Sequence, residues 1–163
     1  MKVALALTCI SCLLAATEAA GAGNAVPAGC DSASVVVWLD TTSDAAAGSV
    51  SYKLMFTNVS GGTCSLRGFP AVSAVAPSGV QVGPQARRNP SPAHTVTLRA
   101  GDSASAVVRV AHAVDFPPAR CHLVTAGGFK VSLPGASAAK IVPFPFPTCS
   151  ARTAVVLAIW AIS

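Results

Sequence analysis

The sequence predicts an all-β fold: an antiparallel, immunoglobulin-like β-sandwich stapled by two disulfides. Three observations predict it. Of 163 residues only 10% are charged, and 13 Gly and 12 Pro accompany abundant Ala, Val, Ser and Thr, a mix that favours short strands and turns over long helices. About eight or nine apolar or alternating runs recur at roughly 8–12-residue spacing with no helical period between them. Cys30, Cys64, Cys121 and Cys149 follow an export leader, and an even count in an exported domain implies disulfides. A closed barrel is the other all-β solution, but Pro143, Pro145 and Pro147 suit the open edge of a sheet.

The length fits one domain, over 23–163, plus a leader over 1–22. Met1-Lys2 is a short basic start and Val3 to Ala16 an apolar stretch too short to span a bilayer. Ala20-Gly21-Ala22 supplies the small-residue cleavage pattern, so cleavage is expected after Ala22, with Ala19 and Ala25 as alternatives. Cys9 and Cys12 lie inside the apolar stretch rather than after it, which argues against a lipid-accepting cysteine and for a released protein. The expected location is therefore extracellular, at the cell envelope. The C-terminal run Ala154 to Ile162 is about half the length of a membrane helix and reads as a last buried strand, so no transmembrane segment is expected.

The four remaining cysteines admit three pairings, and spacing does not choose among them. Sequential pairing, Cys30–Cys64 and Cys121–Cys149, is the simplest; each would close a loop worth roughly 3.5 kcal/mol in chain entropy.

The strands follow in order. Ala33 to Asp40 contains the continuous run Val-Val-Val-Trp-Leu, which predicts a strand covered on both faces. Thr41 to Ser49 reads as a turn. Val50, Tyr52, Leu54 and Phe56 alternate with Ser51, Lys53, Met55 and Thr57, the clearest period of two in the chain. Asn58-Val59-Ser60 fits a glycosylation acceptor pattern, but Asn58 is read as serving the turn that Gly61 and Gly62 complete. Gly68-Phe69-Pro70 leads into a strand from Val72 to Ala76, and Pro77-Ser78-Gly79 turns it back along Val80 to Val82. Gly83 to Pro92 holds three prolines and the pair Arg87–Arg88, and reads as the longest irregular loop. His94 to Arg99, Ser103 to Ala113, Phe129 to Leu133 and Ala138 to Val142 are further strands; Pro143 to Cys149 reads as an edge or covering segment, and Val155 to Ile162 closes the sheet.

Three blocks, FTNVSGGTCSLRGFPAV (56–72), TVTLRAGDSASAVVRV (95–110) and VPFPFPTCS (142–150), with a cysteine just before the first strand, resemble a family of exported actinobacterial proteins catalogued as the domain of unknown function family 4232. The resemblance spans almost the whole chain after the leader and implies a secreted or envelope-associated β-sandwich with two disulfides. It implies no activity and no catalytic residues. The chain departs from many relatives in lacking a lipobox.

Chemical motifs are few. The net charge of +5 belongs entirely to the part after the leader, since Lys2 and Glu18 cancel. Its cations are dispersed, which suits loose attraction to anionic polymers and not the clustered stripe of a nucleic-acid binder. His94, His112 and His122 have no H-x₃₋₅-H spacing, the four cysteines after the leader no C-x-x-C, so no metal is expected. Gly101-Asp102-Ser103 joins two strands and reads as a turn, not a nucleophile site. The five carboxylates Asp31, Asp40, Asp44, Asp102 and Asp115 fall at expected strand ends and turns, where Asp forms local hydrogen bonds. Trp38 and Trp160 sit in apolar runs and are expected in the core.

The expected function is a non-catalytic exported binding or structural module at the cell envelope, without cofactor. Its expected partner is an envelope component, an anionic polymer or a protein, with Arg87 and Arg88 as an anion-binding loop. The alternatives are a small secreted hydrolase assembled from strand-end residues and a carrier of a small apolar or anionic ligand.

Overall fold

The computed structural model describes residues 27–163. The leader over 1–22 and the cleavage positions Ala19, Ala22 and Ala25 lie outside the described residues. The described chain is built of eleven strands: β1 (Val35–Ala46), β2 (Ser49–Asn58), β3 (Cys64–Arg67), β4 (Ala71–Val75), β5 (Gln81–Val82), β6 (Arg87–Arg88), β7 (Thr95–Leu98), β8 (Ser103–Ala111), β9 (Leu123–Ser132), β10 (Ala139–Cys149) and β11 (Leu157–Ile159). One helical turn, α1 (Pro118–Cys121), precedes β9. The proline that opens it costs nothing, because the first helical N–H has no partner in the helix.

The strands form a five-stranded sheet in the order β1-β2-β8-β11-β6, a four-stranded sheet β10-β9-β4-β5, and the small pair β3-β7. Neighbours run antiparallel except β6 and β11, which are parallel. The period of two in β2 decides the packing. Leu54 and Phe56 are fully buried, and their partners across the sheet are Ala106 and Ala104 on β8. A small residue opposite a large one lets a flat sheet face fill without a gap or a clash. Phe129 on β9 and Phe146 on β10 stack at 4.6 Å from the other side, and Phe144 meets Tyr52 of β2 edge-on at 4.9 Å. The two larger sheets thus share one core, the arrangement of a β-sandwich.

Gly128 allows β9 and β10 to approach: a β-carbon there would collide with the carbonyl oxygen of Val142. β10 runs from Ala139 to Cys149 at the outside of its sheet, its pairing with β9 irregular between Pro143 and Phe146, so the three prolines do lie on an edge, within one long strand. Both disulfides join sequential cysteines, Cys30–Cys64 and Cys121–Cys149.

Three expectations are corrected. Thr41 to Ala46 belongs to β1 instead of a turn; the reversal comes at Gly48, whose φ is 73°, and an irregularity between Asp40 and Asp44 absorbs the extra residues. β1 is an edge strand covered on one face only: Val35 is fully buried, whereas Val36 is 45% and Trp38 44% exposed, so Trp38 is not a core residue. Arg87 and Arg88 are not in irregular loop; they pair with β11 as β6, because the chain returning from β5 reaches the free edge of β11 there.

Candidate functional site

Side chains alternate between the faces of a strand, so the register fixes which residues share the outer face of the five-stranded sheet. Trp38 stands opposite Met55, and Met55 opposite Ser105. In the next row Asp40 faces Lys53, which faces Val107. One row further, Asp44, Ser51, Arg109, Ala158 and Arg87 lie across all five strands. Trp160 follows Ala158 by two residues and emerges on the same side, its ring centroid 5.4 Å from the Arg109 guanidinium. Trp38, Lys53, Arg109, Trp160 and Arg87 therefore form a band to which each strand, or its direct continuation, contributes one side chain. At about 4.8 Å per strand step, the strands carrying the two indoles are about 15 Å apart.

Both aromatic members of the band have side-chain partners. The Trp38 indole N–H donates to the Thr57 hydroxyl at 3.1 Å, and that hydroxyl is 2.8 Å from the Ser103 hydroxyl. The indole is thereby fixed against the sheet with a large area facing solvent. Arg109 is exposed and stacks on the half-buried Trp160, a cation–π contact worth about 0.5–1 kcal/mol at such a site. Asp40 accepts the Thr42 backbone N–H at 2.9 Å. That hydrogen bond, then one from the Thr42 side chain, holds its carboxyl below the ordinary carboxylate value, with a smaller contribution from Lys53. The outer face is therefore acidic toward β1, at Asp40 and Asp44, and basic from β2 to β6.

Arg88 does not join this face. Consecutive strand residues point oppositely, and its guanidinium lies 5.6 Å from the centre of the Phe69 ring. The two arginines therefore do not converge on one anion. What sequence reading missed was the union of Arg87 with Arg109, Lys53 and both tryptophans, which are far apart in the chain. The outward parity of Lys53 was visible in the alternation of β2, but nothing local reveals which strands are neighbours.

The other sequence candidates are dispersed. His112 Nδ1 is 3.8 Å from the Asp115 carboxylate, both largely exposed, at the rim of an apolar cavity of about 170 Å³ lined by Tyr52, Val110, Val114, Phe146 and Pro147. Asp102 accepts the Arg99 backbone N–H at 2.9 Å and so closes the turn at Gly101. Asp40 and Asp44 lie within β1 instead of at a strand end, because β1 is longer than expected. Among the described residues no group of three or more His, Cys, Asp or Glu side chains could hold a metal ion.

A family model described as a domain of unknown function, DUF4232, matches residues 30–159. The chain belongs to the DUF4232 family. The match begins at Cys30, the first disulfide cysteine, and ends at Ile159, the last residue of β11, so the DUF4232 unit coincides with the sandwich, including every strand of the outer-face band. No curated protein matches the chain. The two disulfides suit an oxidising compartment, and among the described residues of this DUF4232 chain no helix is long and apolar enough to cross a membrane.

Proposed function

We propose that this DUF4232 chain is an exported, non-catalytic binding module of the cell envelope that engages an anionic component through the outer face of its five-stranded sheet. The leader pattern and the disulfides support export. The observation that carries the binding reading is the band Trp38, Lys53, Arg109, Trp160 and Arg87, a row of exposed and half-buried aromatic and cationic groups crossing one face of the sheet. Aromatic and arginine side chains are the groups most enriched at binding surfaces.

Retention of the protein lacking residues 1–22 on isolated cell envelopes tests this. Arg87→Ala together with Arg109→Ala is expected to lower retention, and raised salt to lower it further, whereas Arg88→Ala leaves it unchanged because that side chain faces elsewhere. Retention that survives both the double substitution and high salt rules out the electrostatic reading.

The hydrolase alternative has one observation in its favour, the His112–Asp115 pair beside an apolar cavity. It requires an ester or amide turnover that disappears in His112→Ala.

A further inference from the structure

The proposed partner can be narrowed to a chemical class, an inference that rests on the reading above. We propose that the outer face binds an acidic glycan, a sugar chain bearing carboxylate groups, laid across the strands from Trp38 to Arg87. A bare polyanion does not fit the whole band: Asp40 and Asp44 stand on the same face, and Asp40 is held ionised by its hydrogen bond to Thr42, so a chain that offers only negative charge, with no hydroxyl to donate, meets repulsion at the β1 end. A sugar chain fits both ends. The C–H face of a pyranose ring packs on an exposed aromatic ring, and its hydroxyls donate to carboxylates, so Trp38 beside Asp40 makes a sugar platform. The opposite end offers guanidinium donors, Arg109 and Arg87, in the row that Ala158 joins, and guanidinium matches the geometry of a carboxylate.

The flatness of the site supports an extended ligand. Between the band's members the outer face carries Ser51, Met55, Ser105, Val107 and Ala158, mostly small side chains that leave an open shelf instead of a pocket. The Trp38 ring is fixed by Thr57 before any ligand arrives, so little ordering entropy remains to oppose binding. A lipid surface would need apolar side chains projecting from the shelf. The described face carries Val36 and Met55 beside Trp38, but Asp40, Asp44, Lys53 and Arg109 stand around them, and a lipid interior would have to strip these charges of water.

The chain supplies its own reporter. It contains two tryptophans, and both lie on this face, so a ligand seated here must change intrinsic fluorescence. The test titrates the protein lacking residues 1–22 with polygalacturonate, with neutral dextran, with polyphosphate and with vesicles containing anionic phospholipid, at low and at physiological salt. Polygalacturonate is expected to shift the fluorescence saturably and to bind best. Trp38→Ala and Arg109→Gln are each expected to weaken it about tenfold or more, as truncation of a central aromatic or arginine anchor does. Trp38→Phe, which keeps a ring, should recover part of the loss. Circular dichroism and the urea midpoint of each variant separate lost binding from lost folding.

If polyphosphate or vesicles bind as well as polygalacturonate and Trp38→Ala has no effect, the glycan inference is overturned and the anionic reading stands. Equal binding of dextran, indifferent to Arg109→Gln, overturns the requirement for an acidic sugar. Retention on envelopes without binding to any probe also overturns the glycan inference, and failure on envelopes and probes alike overturns both readings.

Discussion

Asn58 shows how one buried side chain can set the geometry of a loop. It is fully buried and uses all of its hydrogen-bonding capacity locally: Nδ2 donates to the carbonyls of Gly62 (2.8 Å) and Leu98 (3.0 Å), while Oδ1 accepts from the Ser60 backbone N–H (2.9 Å) and hydroxyl (2.7 Å). The acceptor-like motif at 58–60 is thus consumed inside the fold. Asn58→Ala removes these bonds and leaves the Leu98 carbonyl buried without that donor, which is expected to cost about 2–4 kcal/mol. The urea midpoint at an unchanged m-value measures it. Asn58→Asp keeps the acceptor and loses both donors. It should be worse at neutral pH than under mildly acidic conditions, where the carboxyl takes up a proton and can donate once. The turn role of Asn58 was readable from Gly61 and Gly62 beside it. The exposure of Trp38 was not. A continuous Val-Val-Val-Trp-Leu run looks doubly buried, and alternate members are bare only because, among the described residues, no second layer packs on the outer face of the five-stranded sheet.

Elements are pinned by the disulfides, and the two crosslinks differ in where they sit. Cys30–Cys64 joins the segment before β1 to β3, where backbone pairs already bind it: the Cys30 N–H to the Ser65 carbonyl and the Ser65 N–H to the Ala28 carbonyl, each at 2.9 Å. Cys121–Cys149 ties α1 to the end of β10, with both cysteines almost wholly buried. Their sequence separations, 34 and 28, are close enough that chain entropy predicts nearly the same gain, roughly 3.5 kcal/mol each. Burial breaks the tie. Cys121→Ala with Cys149→Ala also leaves space in the core, so this pair is expected to lower the urea midpoint more than Cys30→Ala with Cys64→Ala. Equal losses would mean that the buried site closes over the missing sulfurs. The extent of β1 was hidden for a related reason. Thr-Thr-Ser-Asp carries no apolar alternation, and an edge strand needs none: β2 supplies the backbone partners, and the irregularity at Asp40–Asp44 takes up the mismatch.

At the scale of the whole molecule, the strand list could be read from the chain but the strand order could not. Patterning says that 154–162 is buried; it does not say that β11 inserts between β8 and β6, since that choice depends on pairings across dozens of residues. The band on the outer face inherits the same blindness, because it exists only once Arg87 is placed next to Ala158 and Arg109. Edges are the exception. Proline has no N–H to give a neighbouring strand, and Pro143, Pro145 and Pro147 foretold that β10 would border its sheet. They also guard it. β10 carries Ile141, 51% exposed, and its neighbour β9 carries the exposed Leu123 and Val124, so without prolines this border would offer another chain an apolar template with free backbone donors. Pro143→Thr, Pro145→Thr and Pro147→Thr combined should keep the sandwich, because threonine suits a strand, yet promote edge-to-edge association. Sedimentation velocity over a concentration series should show larger species in the triple variant than in the parent, with unchanged disulfide mapping. Identical sedimentation of the two at every concentration would assign the protection of this edge to the strand's irregularity between Pro143 and Phe146 instead of to the missing donors.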